Sequence, residues 1–164
     1  MPKKKKKAKK VRAIPKGYAS VTPYLAVKGA AAAIKFYKKV FGAEEIVRMG
    51  GPEGTIGHAE LTIGDSIVML ADESPQRGFQ SPQTYGGSAV TIHLYVEDVD
   101  KTFKRGIKAG AKELRAVADQ FYGDRSGQFE DPFGHVWNVG THIEDVSPKE
   151  MTRRMKAQAQ EQAT

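Results

Sequence analysis

The chain has 164 residues, 40% apolar and 27% charged, enough for one compact domain with a core of its own. It has no cysteine, which excludes disulfides, thiolate metal sites and a cysteine nucleophile. No apolar run approaches the roughly 20 residues that cross a bilayer, and the basic N-terminus leads into no apolar signal segment, so a cytoplasmic protein without a membrane span is expected.

The net charge of +7 belongs to a tail. Residues 1–16 hold nine of the 26 Lys/Arg and no acid, so 17 basic residues face all 19 acidic ones in the remainder. Such a run has nothing to bury, and 1–16 is expected to be a disordered basic tail. Lys3, Lys4, Lys5, Lys6, Lys7, Lys9 and Lys10 suit nonspecific contact with nucleic acid or an anionic surface by counterion release. A solvated extension with no dedicated partner accounts for them equally simply.

In chain order, alternation predicts a strand over 20–27, and Lys28-Gly29 turns into an alanine-rich helix over 30–41. Ala30, Ile34, Tyr37 and Phe41 form its apolar stripe, and Gly42 sits where a left-handed terminal residue belongs. Strands follow over 44–49, 56–63 and 66–70, the last two across a tight Gly64-Asp65 turn. Residues 72–87, rich in Ser, Pro, Gln and Gly, read as a linker or mobile loop.

Then the pattern returns. VTPYLAV at 21–27 matches VTIHLYV at 90–96 with an offset of 69, and FGAEE at 41–45 answers AGAKE at 109–113. Asp98 caps a second helix that carries Val99, Phe103 and Ile107 inward. Residues 64–69 fall on 133–138, again at 69. This is a duplicated β-α-β-β-β unit. In the second copy, Asp131-Pro132-Phe133-Gly134 turns one strand into the next: Asp131 accepts from backbone N–H groups, Pro132 fixes φ and Gly134 tolerates φ > 0. Ser147-Pro148-Lys149-Glu150 is a capping box opening a final helix, which presents Met151 and Met155 for docking. The expected organisation is therefore a tail over 1–16, a domain over 17–146 with modules near 18–72 and 88–142, and a C-terminal helix and tail over 147–164.

The segments VTPYL, FYKKVFGAEE, GHAELTIGDSIVML and YGDRSGQFEDPFGHVW give the chain a further property. It resembles the vicinal oxygen chelate superfamily, most closely the PhnB-like branch of glyoxalase/bleomycin resistance/dioxygenase-type proteins, over about residues 18–150. The resemblance implies an α+β fold, two β-α-β-β-β modules forming a curved mixed eight-stranded sheet around a cavity, commonly in homodimers. Metal-dependent members resembling glyoxalase I place a His or Glu on the first and last strand of each module. The matching positions here are Thr22, Met69, Thr91 and Asn138. Thr and Asn are poor ligands for Zn or Ni, and Met favours soft Cu(I), so no metal or other cofactor is expected at the usual site.

Strand parity places Thr22, Tyr24, His58, Glu60, Thr91, His93, Tyr95 and Asn138 on the cavity face. His58 and Glu60, two apart on one strand, suit an acid/base pair, two ligands of a displaced metal site with His93, or a hydrogen-bonded pair lining a wet groove. His93 and Tyr95 suit a polar or aromatic ligand. Arg125 suits a carboxylate or phosphate clamp, or a loop-holding pair with an acid such as Asp131. Phe121 and Tyr122 suit a cavity wall or packing, and Trp137, of opposite parity to Asn138, belongs to the core. The leading expectation is a protein that binds or sequesters a small polar or aromatic metabolite or antibiotic without a metal at the usual site. A metal-dependent lyase, isomerase or dioxygenase using His58, Glu60 and His93 is the alternative, and whether any reaction is catalysed stays open.

Overall fold

The computed structural model describes residues 11–161; the lysines at 3–7, 9 and 10 lie outside them. The first module consists of β1 (Tyr24–Val27), α1 (Ala30–Phe41), β2 (Glu44–Gly50), β3 (Ile56–Ile63) and β4 (Ser66–Asp72). A connection containing a 3-10 turn (Pro75–Arg77) and a short helix, α2 (Pro82–Tyr85), leads to the second. There β5 (Thr91–Tyr95), α3 (Val99–Lys108), β6 (Lys112–Asp119), β7 (Asp124–Glu130) and β8 (Val136–His142) repeat the order, and α4 (Pro148–Glu161) follows.

The repeat survives as geometry. Each module forms a four-stranded sheet, ordered β1-β4-β3-β2 and β5-β8-β7-β6, with its first strand parallel to its last. Tyr24 pairs with Met69 and His93 with Asn138, the same offset of 69 on both strands. Expectation and structure differ in how the strands are grouped and in where the first one begins. The eight strands divide between two sheets, because no backbone pairing among the described residues joins β1 to β5. The first strand also begins later than the alternation predicts, at Tyr24: Pro23 has no N–H to give to a ladder, though its carbonyl accepts from Met69 N at 2.9 Å.

The helix caps are duplicated too. Asp72 Oδ1 accepts from Gly29 N and Ala30 N at the start of α1, and its Oδ2 accepts from Ile56 N. At the matching position Thr141 Oγ1 accepts from Val99 N at the start of α3 and donates to Val96 O. A last-strand side chain thus satisfies the exposed N–H groups of its own module's helix in both halves.

Helices α1 and α3 pack on one side of the sheets and enclose a core shared by both modules. Tyr37, Phe41, Phe129, Phe133 and Trp137 cluster there, with Phe41 and Trp137 ring centroids 4.5 Å apart. Gly127 lets α3 approach, since a Cβ there would lie 2.8 Å from the Phe103 ring. The Asp131 turn forms as its residues require, with Gly134 at φ 88 and Asp131 Oδ1 accepting from Phe133 N and His135 N. Its other oxygen does what local sequence does not signal: Asp131 Oδ2 accepts from Tyr37 Oη of α1 at 2.8 Å and from Trp137 Nε1 at 2.9 Å. His135, in the same turn, is buried and places Nε2 3.0 Å from Ala26 O, a second tie between modules.

The connection over 72–87 is held in place by Glu73, which accepts from Ser81 N and Thr84 Oγ1 and lies 3.6 Å from Lys28 Nζ. On α4, Ser147 caps the helix as expected. Glu150, however, pairs with Arg153 and Arg154, and Arg154 reaches Glu144, so ion pairs tether this helix while Met155 stays half exposed.

Candidate functional site

Each sheet has one face under a helix and one face open. On the first open face, β1 and β3 bring Tyr24, His58 and Glu60 into a chain of hydrogen bonds. Glu60 Oε1 stands 2.9 Å from His58 Nε2, and Tyr24 Oη 2.8 Å from His58 Nδ1. A carboxylate only accepts, so Nε2 donates to it, and the Tyr24 hydroxyl, which can donate or accept, bonds Nδ1 at the other edge of the ring. Tyr18, from the segment before β1, closes the chain by donating to Glu60 Oε2. The bonds from Tyr18 and His58 outweigh partial burial and hold the Glu60 carboxyl below its ordinary range. Burial and the Glu60 charge push the Tyr24 phenol up. Thr22 and Met69 border the same recess of about 400 Å³, under residues 13–20.

The second open face carries Thr91, His93 and Tyr95 on β5 and Asn138 on β8. The His93 and Tyr95 rings are 4.5 Å apart, and Asn138 Nδ2 lies 2.7 Å from His93 Nδ1. Arg115 of β6 donates to Asn138 Oδ1, Ser126 Oγ and Ser126 O. Tyr122 Oη approaches Ser126 Oγ at 3.5 Å, with Phe121 packed edge-on against its ring. At the far end Tyr95 Oη donates to Asp124 Oδ2, and His142 Nδ1 donates to Asp124 Oδ1. The hydrogen bond to Asp124 and then that to Asp145 push the His142 imidazole up, and the Asp124 bond pushes the Tyr95 phenol up.

Between the modules lies a cavity of about 670 Å³. Tyr24 and Leu25 of β1, Ile92 and His93 of β5, and Phe79 and Tyr85 of the connection line it. Tyr24 and Phe79 meet edge to face at 5.1 Å.

The candidates from sequence thus fall into two groups. Tyr24, His58, Glu60 and neighbouring Thr22 gather on the first sheet; Thr91, His93, Tyr95, Asn138 and Tyr122, with Phe121 behind it, gather on the second. Arg125 joins neither. Its guanidinium pairs with Asp100 of α3 and with Asp119, not with Asp131, because it alternates with Ser126 and faces the helix. Arg115, Ser126, Asp124, His142 and Phe79 are the contributors that sequence reasoning missed. Of these, Ser126 and Asp124 had a legible signal in the parity of β7 with Gln128, the partner of Asn138, and His142 in the parity of β8 with Asn138.

Residues 18–139 match the Glyoxalase/Bleomycin resistance protein/Dioxygenase superfamily. The chain belongs to that superfamily. The uncharacterized protein Rv0887c of Mycobacterium tuberculosis H37Rv is 45% identical over 142 residues, covering 85% of this chain and 84% of that one. Among solved structures, TioX from Micromonospora sp. ML1 is similar at 28% identity and TM-score 0.59, covering 76% of this chain and 99% of that one. The manganese-bound fosfomycin resistance protein FosX of Listeria monocytogenes shares the fold at 18% identity and TM-score 0.59, covering 82% of this chain and 97% of that one.

Metal-using members of this superfamily need imidazoles and carboxylates at positions that here hold Thr22, Met69, Thr91 and Asn138. The donor set does not fit. Asn138 is engaged by Arg115 and His93, and Glu60, the carboxylate beside Thr22 and Met69, is bound by Tyr18 and His58. Among the described residues no three His, Asp or Glu side chains form a metal-holding group.

Proposed function

We propose that this superfamily member binds a small molecule with an aromatic or apolar body in the cavity between its modules, without a metal at the usual position. The observation that carries the reading is the cavity wall: Tyr24, Phe79 and Tyr85 offer rings, and His93 offers a polar edge, around a volume of ligand size. Both first strands contribute, so the site belongs to the folded two-module unit. Association of two chains is part of the proposal and is checked by light scattering on the eluting protein.

The test is a fluorescence titration with the neutral aromatic probe N-phenyl-1-naphthylamine in the presence of EDTA. Saturable binding at one site per chain is expected, weakened about tenfold by Phe79→Ala, the scale of one lost aromatic contact. Binding that vanishes in EDTA and returns with Mn, Ni or Zn would instead support the metal-dependent lyase, isomerase or dioxygenase reading. No saturable binding at all would remove the cavity as a site.

A further inference from the structure

We infer that the open face of the second sheet is an oxyanion-recognition site centred on Arg115, which Asn138 holds in place and links to His93 at the cavity. It would select ligands carrying a carboxylate or a related oxyanion. The inference rests on the cavity reading for the body of the ligand, because His93 lines both places.

Arg48, Arg125, Arg153 and Arg154 each hold a carboxylate. Arg115 is half-buried, and its hydrogen-bond partners are all neutral: Ser126 O at 3.3 Å, Ser126 Oγ at 3.2 Å and Asn138 Oδ1 at 2.8 Å. Among the described residues it has no acidic partner. A guanidinium withdrawn from water without a counterion is costly unless an anion completes it, and its planar fork matches a carboxylate or phosphate edge.

The rest of the face follows from the chemistry of donors. Arginine can only donate, so the Asn138 carbonyl must face Arg115 and its amide nitrogen must face His93. An amide nitrogen also only donates, so His93 Nδ1 must accept, which leaves the proton of the neutral imidazole on Nε2. Arg115 therefore fixes, through Asn138, which edge of His93 is a donor. The neighbouring strand residue on the Nε2 side is Gly140, which presents no side chain. Among the described residues, the remaining guanidinium N–H groups and His93 Nε2–H have no hydrogen-bond acceptor; the guanidinium lies beyond Asn138 on the Nδ1 side of the imidazole, and Nε2–H is on the opposite side, towards Gly140. The nearby carboxylate of Asp124 is occupied by Tyr95 and His142. Lys112 and Glu130 are cross-strand neighbours in the backbone register of β6 and β7, at the opposite end of the sheet. Asn138 occupies a position where metal-using relatives place a ligand, so a hydrogen-bonding device stands there in this chain.

A matched pair of probes tests the idea: 1-naphthylacetate and its neutral amide, 1-naphthylacetamide, titrated calorimetrically into the full chain in EDTA. The carboxylate is expected to bind at least about tenfold more tightly than the amide, the usual scale of a charge-assisted pair. Arg115→Met removes the charge, and Asn138→Asp gives Arg115 an internal counterion. Each should bring the ratio to about one while the near-ultraviolet circular dichroism of the aromatic core is unchanged. Equal binding of the two probes to the native chain would overturn the inference, as would a preference that survives in both variants. Saturable N-phenyl-1-naphthylamine binding with equal naphthyl probes would leave the cavity reading intact and remove this one. Arg115-dependent naphthylacetate binding without binding of the neutral probe would do the reverse.

Discussion

His58 Nε2 and Glu60 Oε1 stand 2.9 Å apart, two residues along one strand, and the free edge of each is taken by a tyrosine from elsewhere in the chain. Tyr24 engages His58 and Tyr18 engages Glu60, so the pair is braced at both ends. Glu60→Gln keeps the shape but replaces one acceptor oxygen by a donor. It is expected to lower unfolding free energy by about 1–2 kcal/mol, measured by urea titration at neutral pH. Because the Glu60 carboxyl is held below its ordinary range, its contribution is present above the unfolded value and is lost as pH falls through the folded one. The difference between native and variant should therefore shrink on the acid side.

Asp131 presents a harsher case. Its two oxygens accept from Phe133 N, His135 N, Tyr37 Oη and Trp137 Nε1 within the buried core. Asp131→Asn turns one acceptor into a donor that faces other donors. A loss of about 3–5 kcal/mol is expected, on the scale of an uncompensated buried polar group. The single tryptophan, Trp137, lies at the site and reports the transition by its own fluorescence.

Glu73 controls the connection between modules. Burial opposes its charge, but hydrogen bonds from Ser81 and Thr84 and the nearby Lys28 outweigh it and draw the carboxyl down to about 2. The contribution is thus present at neutral pH and lost as pH falls from the ordinary carboxylate range towards 2. Glu73→Gln should raise hydrogen exchange across residues 78–87 at pH 7, with little change in the exchange of β7 and β8.

The two helix caps make an unequal pair. Asp72→Ala strips the partner from Gly29 N, Ala30 N and Ile56 N and should cost about 2–4 kcal/mol. Thr141→Val strips it from Val99 N while Asp98 still caps Lys101 N, and about 1–2 kcal/mol is expected. Thermal melts of the two variants should preserve that order.

His142 offers a site-specific titration. Its imidazole is pushed up by Asp124 and Asp145. In an NMR pH titration it should hold its proton above the ordinary histidine range, and Asp124→Asn should move its midpoint back down. The sign follows from the raised folded value: the stabilisation is complete below the unfolded pKa and fades as pH rises through the folded one.

Much of the fold was written in the offset of 69, because strand pairing preserves register and the duplicated hairpins carry the same turn chemistry. Parity then put Tyr24, His58, Glu60, His93 and Asn138 on the open faces. Arg115 escaped because β6 is irregular: register shifts on both sides of it break the alternation from which a face is read. Arg125 attracted notice for its GDR turn, but one step of alternation turns it towards Asp100. The Oδ2 contacts of Asp131 were illegible for another reason. A local turn predicts the i+2 and i+4 bonds of Oδ1, but nothing near residue 131 announces a tyrosine 94 positions earlier.

That tyrosine changes what duplication has left behind. Two copies of a β-α-β-β-β unit begin as interchangeable halves, each able to be lost, replaced or recombined. Here the helix of the first half hands its hydroxyl to a turn of the second, and the imidazole in that turn reaches a carbonyl of β1. Each half carries groups whose only buried partners among the described residues lie in the other, so the ancestral modularity has been exchanged for a single heritable unit, in which a recombination breakpoint within the connection would orphan polar groups on both sides.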